Sequence, residues 1–269
     1  LRRQRQMCIR DSSYTGRMST APALPPLPGA PGGPALPSVE ELLADAVAVA
    51  LPMRVRFRGT DLRHALLLRG PAGWAEFSPF PEYGPHECAA WLAAAIEAGW
   101  QGWPAPVRET VPVNATVPAV AADDVEAVLA RYGDGITAVK VKVAEHGPEG
   151  GLVPGGREAD LARVRRVRAL LPHAQVRVDA NAGWTPAEAV DVLTALADVG
   201  LEYAEQPVPG ITDLAEVRAE LRARGVPTPI AADEAVRKAE DPLAVAAAGA
   251  ADLIVGKVQP LGGVRRGAG

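Results

Sequence analysis

Cysteine is scarce: the 269 residues carry two, Cys8 and Cys88. Two thiols cannot build a disulfide framework, so the sequence points away from a small secreted scaffold and toward a reducing, cytoplasmic setting. Long apolar runs are missing too. The longest, at 46–53 and 245–251, fall well short of the roughly 20 residues a membrane helix needs, so no membrane partner is expected. Nor is there an excess of positive charge. A formal net charge of −4 leaves no footprint for nucleic acid or for an anionic bilayer. Residues 1–17 are basic but lack the apolar core and small-residue cleavage site of a secretory signal. The four histidines, His64, His86, His146 and His173, show no metal-ligand spacing and read as surface or capping residues. The glycine-rich stretch 147–156 lacks the Lys-Ser/Thr ending of a phosphate loop and reads instead as a mobile flap beside Lys142. With these classes set aside, a small-molecule substrate is the expected partner, and no oligomeric state is specified.

The length suits one barrel or two unequal domains. Residues 1–37 are expected to be a disordered leader: proline and glycine dominate 21–37, and 1–17 read as artefactual sequence ahead of a start at Met18. Residues 38–110 predict a small α+β capping domain. Ser38 with Glu41 is a capping-box pair, and Val47, Val49, Leu51 and Met53 alternate as in a half-buried strand. Strand-like runs at 64–68 and 73–77 flank turn chemistry at 69–72, and Cys88, Trp91, Leu92, Ala95 and Ile96 fall at helical spacing. Trp74, Trp91 and Trp184 are expected in the core or at a domain interface.

From about residue 111 onward, short apolar runs alternate with amphipathic segments, the pattern of βα units on a parallel sheet. Strands are predicted at 113–117, 137–143, 175–179, 202–205, 229–233 and 253–258, six in all, with five helices between them. Helix starts are signalled by Asp123 with Glu126, by Thr185-Pro186 with Glu188, and by Asp241-Pro242. An eight-stranded (β/α) TIM-type barrel takes about 250 residues. Residues 111–269 are therefore expected to form a partial, C-terminally truncated barrel whose end strands expose unpaired edges.

Charged residues occupy the C-terminal ends of five predicted strands: Lys142, Asp179, Glu205, Asp233 and Lys257, the last four recurring every 24 to 28 residues. In a βα barrel that end of the sheet is where active sites are built. Lys140 and Lys142 share one face of their strand, with Val139, Val141 and Val143 on the other; Arg177 and Asp179 pair in the same way. With the valines against helices, the lysines face the barrel axis. Three carboxylates converging there repel one another unless a cation lies between them, and all-oxygen ligation with open positions suits Mg²⁺. A neighbouring ammonium and a divalent ion both favour the neutral amine at Lys142, the form that acts as a base.

These motifs resemble those of the enolase superfamily. Val139-Lys140-Val141-Lys142 is similar to its K-x-K strand, while 178–181, 204–207 and 232–234 are similar to its three metal-ligand strand ends. Gly256-Lys257-Val258-Gln259-Pro260-Leu261-Gly262-Gly263 resembles the sixth-strand lysine motif of the muconate-lactonizing-enzyme-like subgroup. Within that subgroup, 57–59, 68–80 and 113–119 resemble the o-succinylbenzoate synthase family of high-GC bacteria. The resemblance implies a lyase of menaquinone biosynthesis that dehydrates 2-succinyl-6-hydroxy-2,4-cyclohexadiene-1-carboxylate through an ene-diolate. It implies Lys142 and Lys257 as catalytic, and Asp179, Glu205 and Asp233 as ligands of one Mg²⁺, with Mn²⁺ as a substitute. It also implies Lys140 and Asn181 as substrate-carboxylate contacts. Two other outcomes fit the same residues. One is N-succinylamino acid racemisation or dipeptide epimerisation, which needs two opposed bases; the other is an inactive fragment of a barrel.

Overall fold

A computed structural model of the chain describes residues 35–57, 60–146, 156–238 and 241–268, together with 7–8, and gives the backbone alone for 7–8 and 54–57. Apart from 7–8 and 35–37, the expected leader over 1–37 lies outside the described residues, as do 147–155 of the expected flap. The first described element, β1 (Met7–Cys8), pairs with the edge of the large sheet.

The N-terminal domain begins with α1 (Val39–Leu43), whose capping box forms as expected: Ser38 Oγ accepts from Glu41 N at 3.1 Å and Glu41 returns to Ser38 N at 2.7 Å. β2 (Val47–Phe57), β3 (Thr60–Gly70) and β4 (Gly73–Phe77) follow as an antiparallel meander in that order. The β3–β4 hairpin closes where Gly70 pairs with Gly73, at the expected turn. α2 (Pro85–Ile96) opens on a proline, a residue whose missing N–H costs nothing in a first turn, and it runs directly into a π-helical turn at Glu97–Gln101. Leu68 and Ala75 of the sheet pack on Ala95 and Ala98 to make a small core. Trp91 is buried against the edges of Phe80 and Tyr83, as expected for a core residue. Trp74 is not: it stands 57% exposed on the short outer strand, with the Arg69 guanidinium over its ring.

The second domain alternates strand and helix: β5 (Ala115–Val117), α3 (Val125–Leu129), β6 (Ala138–Lys142), α4 (Gly156–Leu170), β7 (Gln175–Asp179) and α5 (Pro186–Ala195). It continues with β8 (Tyr203–Glu205), α6 (Ile211–Ala223), β9 (Ile230–Ala232), α7 (Asp241–Ala247), β10 (Leu253–Gly256), α8 (Val258–Leu261) and α9 (Val264–Ala268). Strands β5 to β10 lie parallel in sequence order, and β1 adds antiparallel to the outer edge of β10. Among the described residues β5 pairs with β6 alone, so no β5–β10 ladder closes the sheet.

Two of the expected caps behave differently. Thr185 and Glu188 form their box, with Thr185 N donating to Glu188 Oε2 at 2.8 Å. Asp123 makes no cap; its segment winds as a 3-10 turn over Ala122–Asp124 before α3 begins.

The core sits between sheet and helices. Val139, Val141, Val176, Val178, Ala204 and Ile230 meet Val164, Val167, Leu193, Leu214 and Val217, all essentially inaccessible. Each buried valine, leucine or isoleucine here contributes about 1.5–3 kcal/mol by leaving water, so this layer fixes which strand face points inward. Truncating one at full burial, as in Leu214→Ala, costs about 2–5 kcal/mol because the helix cannot collapse onto the gap.

Candidate active site

Register brings the predicted residues together. Across β6 and β7, Lys140 stands opposite Arg177 and Lys142 opposite Asp179; across β7 and β8, Asp179 stands opposite Glu205. Because side chains alternate along a strand, the valines of β6 and β7 enter the helix-facing core, which turns both lysines, Arg177 and Asp179 to the other face. Tyr203, Ala231 and Val255 form a separate small cluster apart from that core.

Lys140 is buried and bridges two carboxylates, its Nζ 3.0 Å from Asp179 Oδ2 and 3.0 Å from Glu205 Oε1. Lys142 Nζ donates to Asp179 Oδ2 at 2.5 Å and to Asn181 Oδ1 at 2.6 Å. Across the site, Lys257 pairs with Asp233. Lys140, Lys142, Asp179, Glu205 and Asn181 are thus linked in one charged cluster, and the Asp233–Lys257 pair lies close enough for the Asp233 charge to act on Glu205. Asn181 is held in turn by Glu234, whose Oε1 accepts from its Nδ2 at 3.0 Å.

Charge is not balanced evenly over this surface. Burial works to raise the Asp179 carboxyl, but Lys140 and Lys142 outweigh it and hold the group below its ordinary value. Burial works against the Lys140 ammonium as well, yet Asp179 and Glu205 prevail and raise its pKa. Glu205 goes the other way: burial, and then the charges of Asp179 and Asp233, push it up to about 7 against the pull of Lys140. A carboxylate crowded by two others is relieved by a cation placed among them.

Among the described residues no three acidic, histidine or cysteine side chains are already grouped as a metal centre. Each carboxylate is turned to a lysine. The donor set still suits a hard divalent cation: Asp179, Glu205 and Asp233 are all buried, all oxygen donors, and over-supplied with negative charge at Glu205. The neighbouring Glu234 Oε2 is also buried without a hydrogen-bond partner. Taking up a cation requires the lysines to release carboxylate oxygens that they now hold.

Comparison with known proteins bears on this geometry. Residues 121–268 match the family described as enolase C-terminal domain-like, and residues 48–99 match the one described as enolase N-terminal domain-like. The chain belongs to the enolase superfamily. Within the superfamily it is 53% identical over 219 residues to an o-succinylbenzoate synthase of Thermobifida fusca, covering 81% of this chain and 65% of that protein. It is 52% identical over 233 residues to an o-succinylbenzoate synthase of Mycolicibacterium smegmatis, covering 86% of this chain and 68% of that one. The chain thus spans about two thirds of the length of these superfamily relatives. A crystal structure of o-succinylbenzoate synthase from Thermosynechococcus elongatus, with magnesium in its active site, superposes with a TM-score of 0.58 at 23% identity, over 77% of this chain and 73% of that one. At that identity the likeness is one of superfamily fold: an N-terminal α+β domain beside βα units.

Several site residues carry no signal strong enough to read from sequence alone. Gln206, fully buried, accepts from Asp233 N at 2.8 Å and Ala235 N at 3.0 Å, and donates to Val208 O at 2.8 Å, so it fixes the backbone that carries Asp233. Its place directly after Glu205 in the 204–207 motif was the available clue. Asp160 and Arg163 of α4 form a buried ion pair behind Lys142: Arg163 Nη1 donates to Lys142 O at 2.9 Å, and Asp160 Oδ2 accepts from Ala144 N at 2.8 Å. On an amphipathic helix rich in charge, nothing in the sequence separates these two from a solvated face. Gly183 is a packing requirement, since a Cβ there would lie 2.8 Å from both Ala144 Cβ and Ala144 O.

Proposed function

We propose that this chain carries the active site of an o-succinylbenzoate synthase, dehydrating 2-succinyl-6-hydroxy-2,4-cyclohexadiene-1-carboxylate in the cytoplasm on the route to menaquinone. The observation that carries the reading is that two lysines from well-separated strands, Lys142 at the end of β6 and Lys257 just after β10, engage different members of one carboxylate set. Identity above 50% to proteins named for this reaction supports it.

In this reading Lys142, as the neutral amine, takes the proton α to the substrate carboxylate. The electrons of that C–H bond move onto the substrate carboxylate to form the ene-diolate, then return as a ring double bond while the neighbouring carbon–oxygen bond breaks. The Lys142 ammonium gives its proton to the departing hydroxyl, which leaves as water. Lys257 stays cationic on the far side of the ring and faces the electron-rich π system. Lys140 and Asn181 orient the substrate carboxylate. Asp179, Glu205 and Asp233 would hold one Mg²⁺, or Mn²⁺ as a substitute, which supplies positive charge to that carboxylate when bound.

The deciding experiment offers the purified chain with MgCl₂ the cyclohexadiene carboxylate and, separately, N-succinyl amino acids and dipeptides. Formation of the aromatic product, with α-proton exchange of the amino acids slower by about tenfold or more in kcat/KM, supports the dehydratase. Faster racemisation or epimerisation assigns the two lysines to opposed bases. Absence of all three reactions, with a melting temperature unmoved by Mg²⁺, identifies the chain as an inert fragment.

A further inference from the structure

Glu97 is a buried carboxylate with no part in the chemistry above. It sits at the start of the π-helical turn that follows α2, 4% exposed, in the N-terminal domain. Such turns, one residue wider than an α-helical turn, re-aim a side chain and recur at functional positions. This one is anchored from behind, where Ala72 N of the β3–β4 hairpin donates to Gly99 O at 2.8 Å.

Among the described residues, the hydrogen bonds that the Glu97 carboxylate accepts come from the other domain. Val264 N donates to Oε2 at 2.5 Å, Arg265 N to Oε1 at 3.1 Å, and Arg265 Nη1 to Oε1 at 2.9 Å. The same guanidinium reaches Gly102 O at 3.0 Å. The approach depends on Gly263, whose φ is +128° and whose added Cβ would collide with the Glu97 carboxylate. Burying a carboxylate costs free energy unless charged and amide donors replace its water. Here the donors come from the segment that follows Lys257.

That segment is tightly wound. Leu261 N donates to Lys257 O at 3.3 Å, Gly262 N to Gln259 O at 3.1 Å and Gly263 N to Val258 O at 3.0 Å. A pull at Gly263 is therefore transmitted within a few peptide units to the backbone of Lys257. Lys257 itself has little else to hold it: its side chain is 42% exposed, with Asp233 as its ion-pair partner.

We propose that Glu97 is a positioning residue for Lys257, a carboxylate through which docking of the N-terminal domain sets the strand end that carries this lysine. The inference rests on the proposed role of Lys257 only where turnover is the readout. A second link between the domains, the ion pair of Glu87 with Lys238 at 3.2 Å, lies on the surface and serves as the control.

The test compares wild type, E97Q and E87Q in the full chain with MgCl₂. Each is pulse-labelled by reductive methylation of lysines and read by mass spectrometry, together with amide exchange over 258–268. E97Q is expected to raise labelling of Lys257 by about threefold or more, to speed exchange over 258–268, and to leave Lys142 and helix α5 as in wild type. In turnover kcat should fall about tenfold with KM within about threefold, the signature of a misplaced group rather than lost binding. E87Q should match wild type throughout. Unchanged Lys257 labelling in folded E97Q would overturn the proposal, as would a rise in Lys142 and Lys257 together, which marks general loosening. If E97Q does not fold, G263A displaces the same carboxylate from the other side and must give the same selective pattern; a wild-type pattern there also refutes it. A wild-type chain inactive as a dehydratase would sink the functional reading and leave the labelling result to decide Glu97 alone.

Discussion

The two ends of the parallel sheet treat charge in opposite ways. At the N-terminal end the charges of Asp252 and Arg168 have complementary partners. Asp252 accepts from Arg218 Nε at 2.9 Å, Arg218 Nη2 at 2.6 Å, Arg222 Nη2 at 3.1 Å and Ile230 N at 3.0 Å. Arg168 likewise ties together the carbonyls of Val199 at 3.0 Å and Ala174 at 2.7 Å. At the C-terminal end like charges crowd, and Glu205 is driven up to about 7 by burial with Asp179 and Asp233. Backbone strain collects there as well: among the described residues the non-glycine positions with positive φ are Ala144, Asn181, Ala182 and Gln206, each just beyond β6, β7 or β8. Strained conformations cost of order 1–3 kcal/mol each and persist where surrounding structure over-determines them. One end of the sheet is built to be stable; the other gives up stability to hold crowded charges in place, as the proposed active site requires.

The sharpest way to break this contrast is at its reactive end. In the proposed mechanism Lys142 is the base, so Lys142→Ala should lower kcat by about a thousandfold or more, while the Mg²⁺ concentration that half-raises the melting temperature moves by no more than a few-fold. Thermal melts across a MgCl₂ series beside steady-state rates would check both. Retention of more than a few per cent of turnover would take the base assignment away from Lys142. Asp233→Asn should reverse the order of effects. It weakens the Mg²⁺-dependent stabilisation by about tenfold or more in apparent affinity, and activity returns in part at high MgCl₂. A variant that loses turnover with undiminished metal response would remove Asp233 from the ligand set.

Most of this contrast is legible in the sequence, and the illegible part has a physical reason. Alternation of Val139, Val141 and Val143 with Lys140 and Lys142 specifies a strand with one apolar and one charged face, because a period of two admits no other placement. The recurrence of Asp179, Glu205, Asp233 and Lys257 at one βα unit each locates the reactive end. What the pattern cannot supply is whatever depends on a long-range partner. Trp74 carries the same apolar ring as Trp91, yet it is exposed because its short outer strand has no layer over that face. Glu97, Asp160 and Arg163 read as ordinary charged helix residues until residues 16 to 168 positions away supply their partners. The predicted strands also overrun the observed ones by one or two residues, at 113–114, 137, 143, 202, 229, 233 and 257–258, because side-chain pattern does not mark where ladder hydrogen bonding starts and stops.

The smallest expected effect lies at the stable end. Asp252→Asn keeps the shape of the side chain and removes its charge, so it should cost about 1 kcal/mol of unfolding free energy at pH 7, discounted for the partial exposure of the cluster, with kcat unchanged. Burial works to raise this carboxyl, but Arg218, Ile230 N and Arg222 hold it below its ordinary value. A carboxyl lowered by folding stabilises the native state above its unfolded pKa and loses that contribution as pH falls through the folded value. The difference in urea midpoint between wild type and variant should therefore be full at pH 7 and narrow steadily below about pH 5. A gap that stays constant down to about pH 3 would mean that the Asp252 charge contributes nothing. An equal loss of turnover in this variant would mean that the two ends of the sheet are not separable.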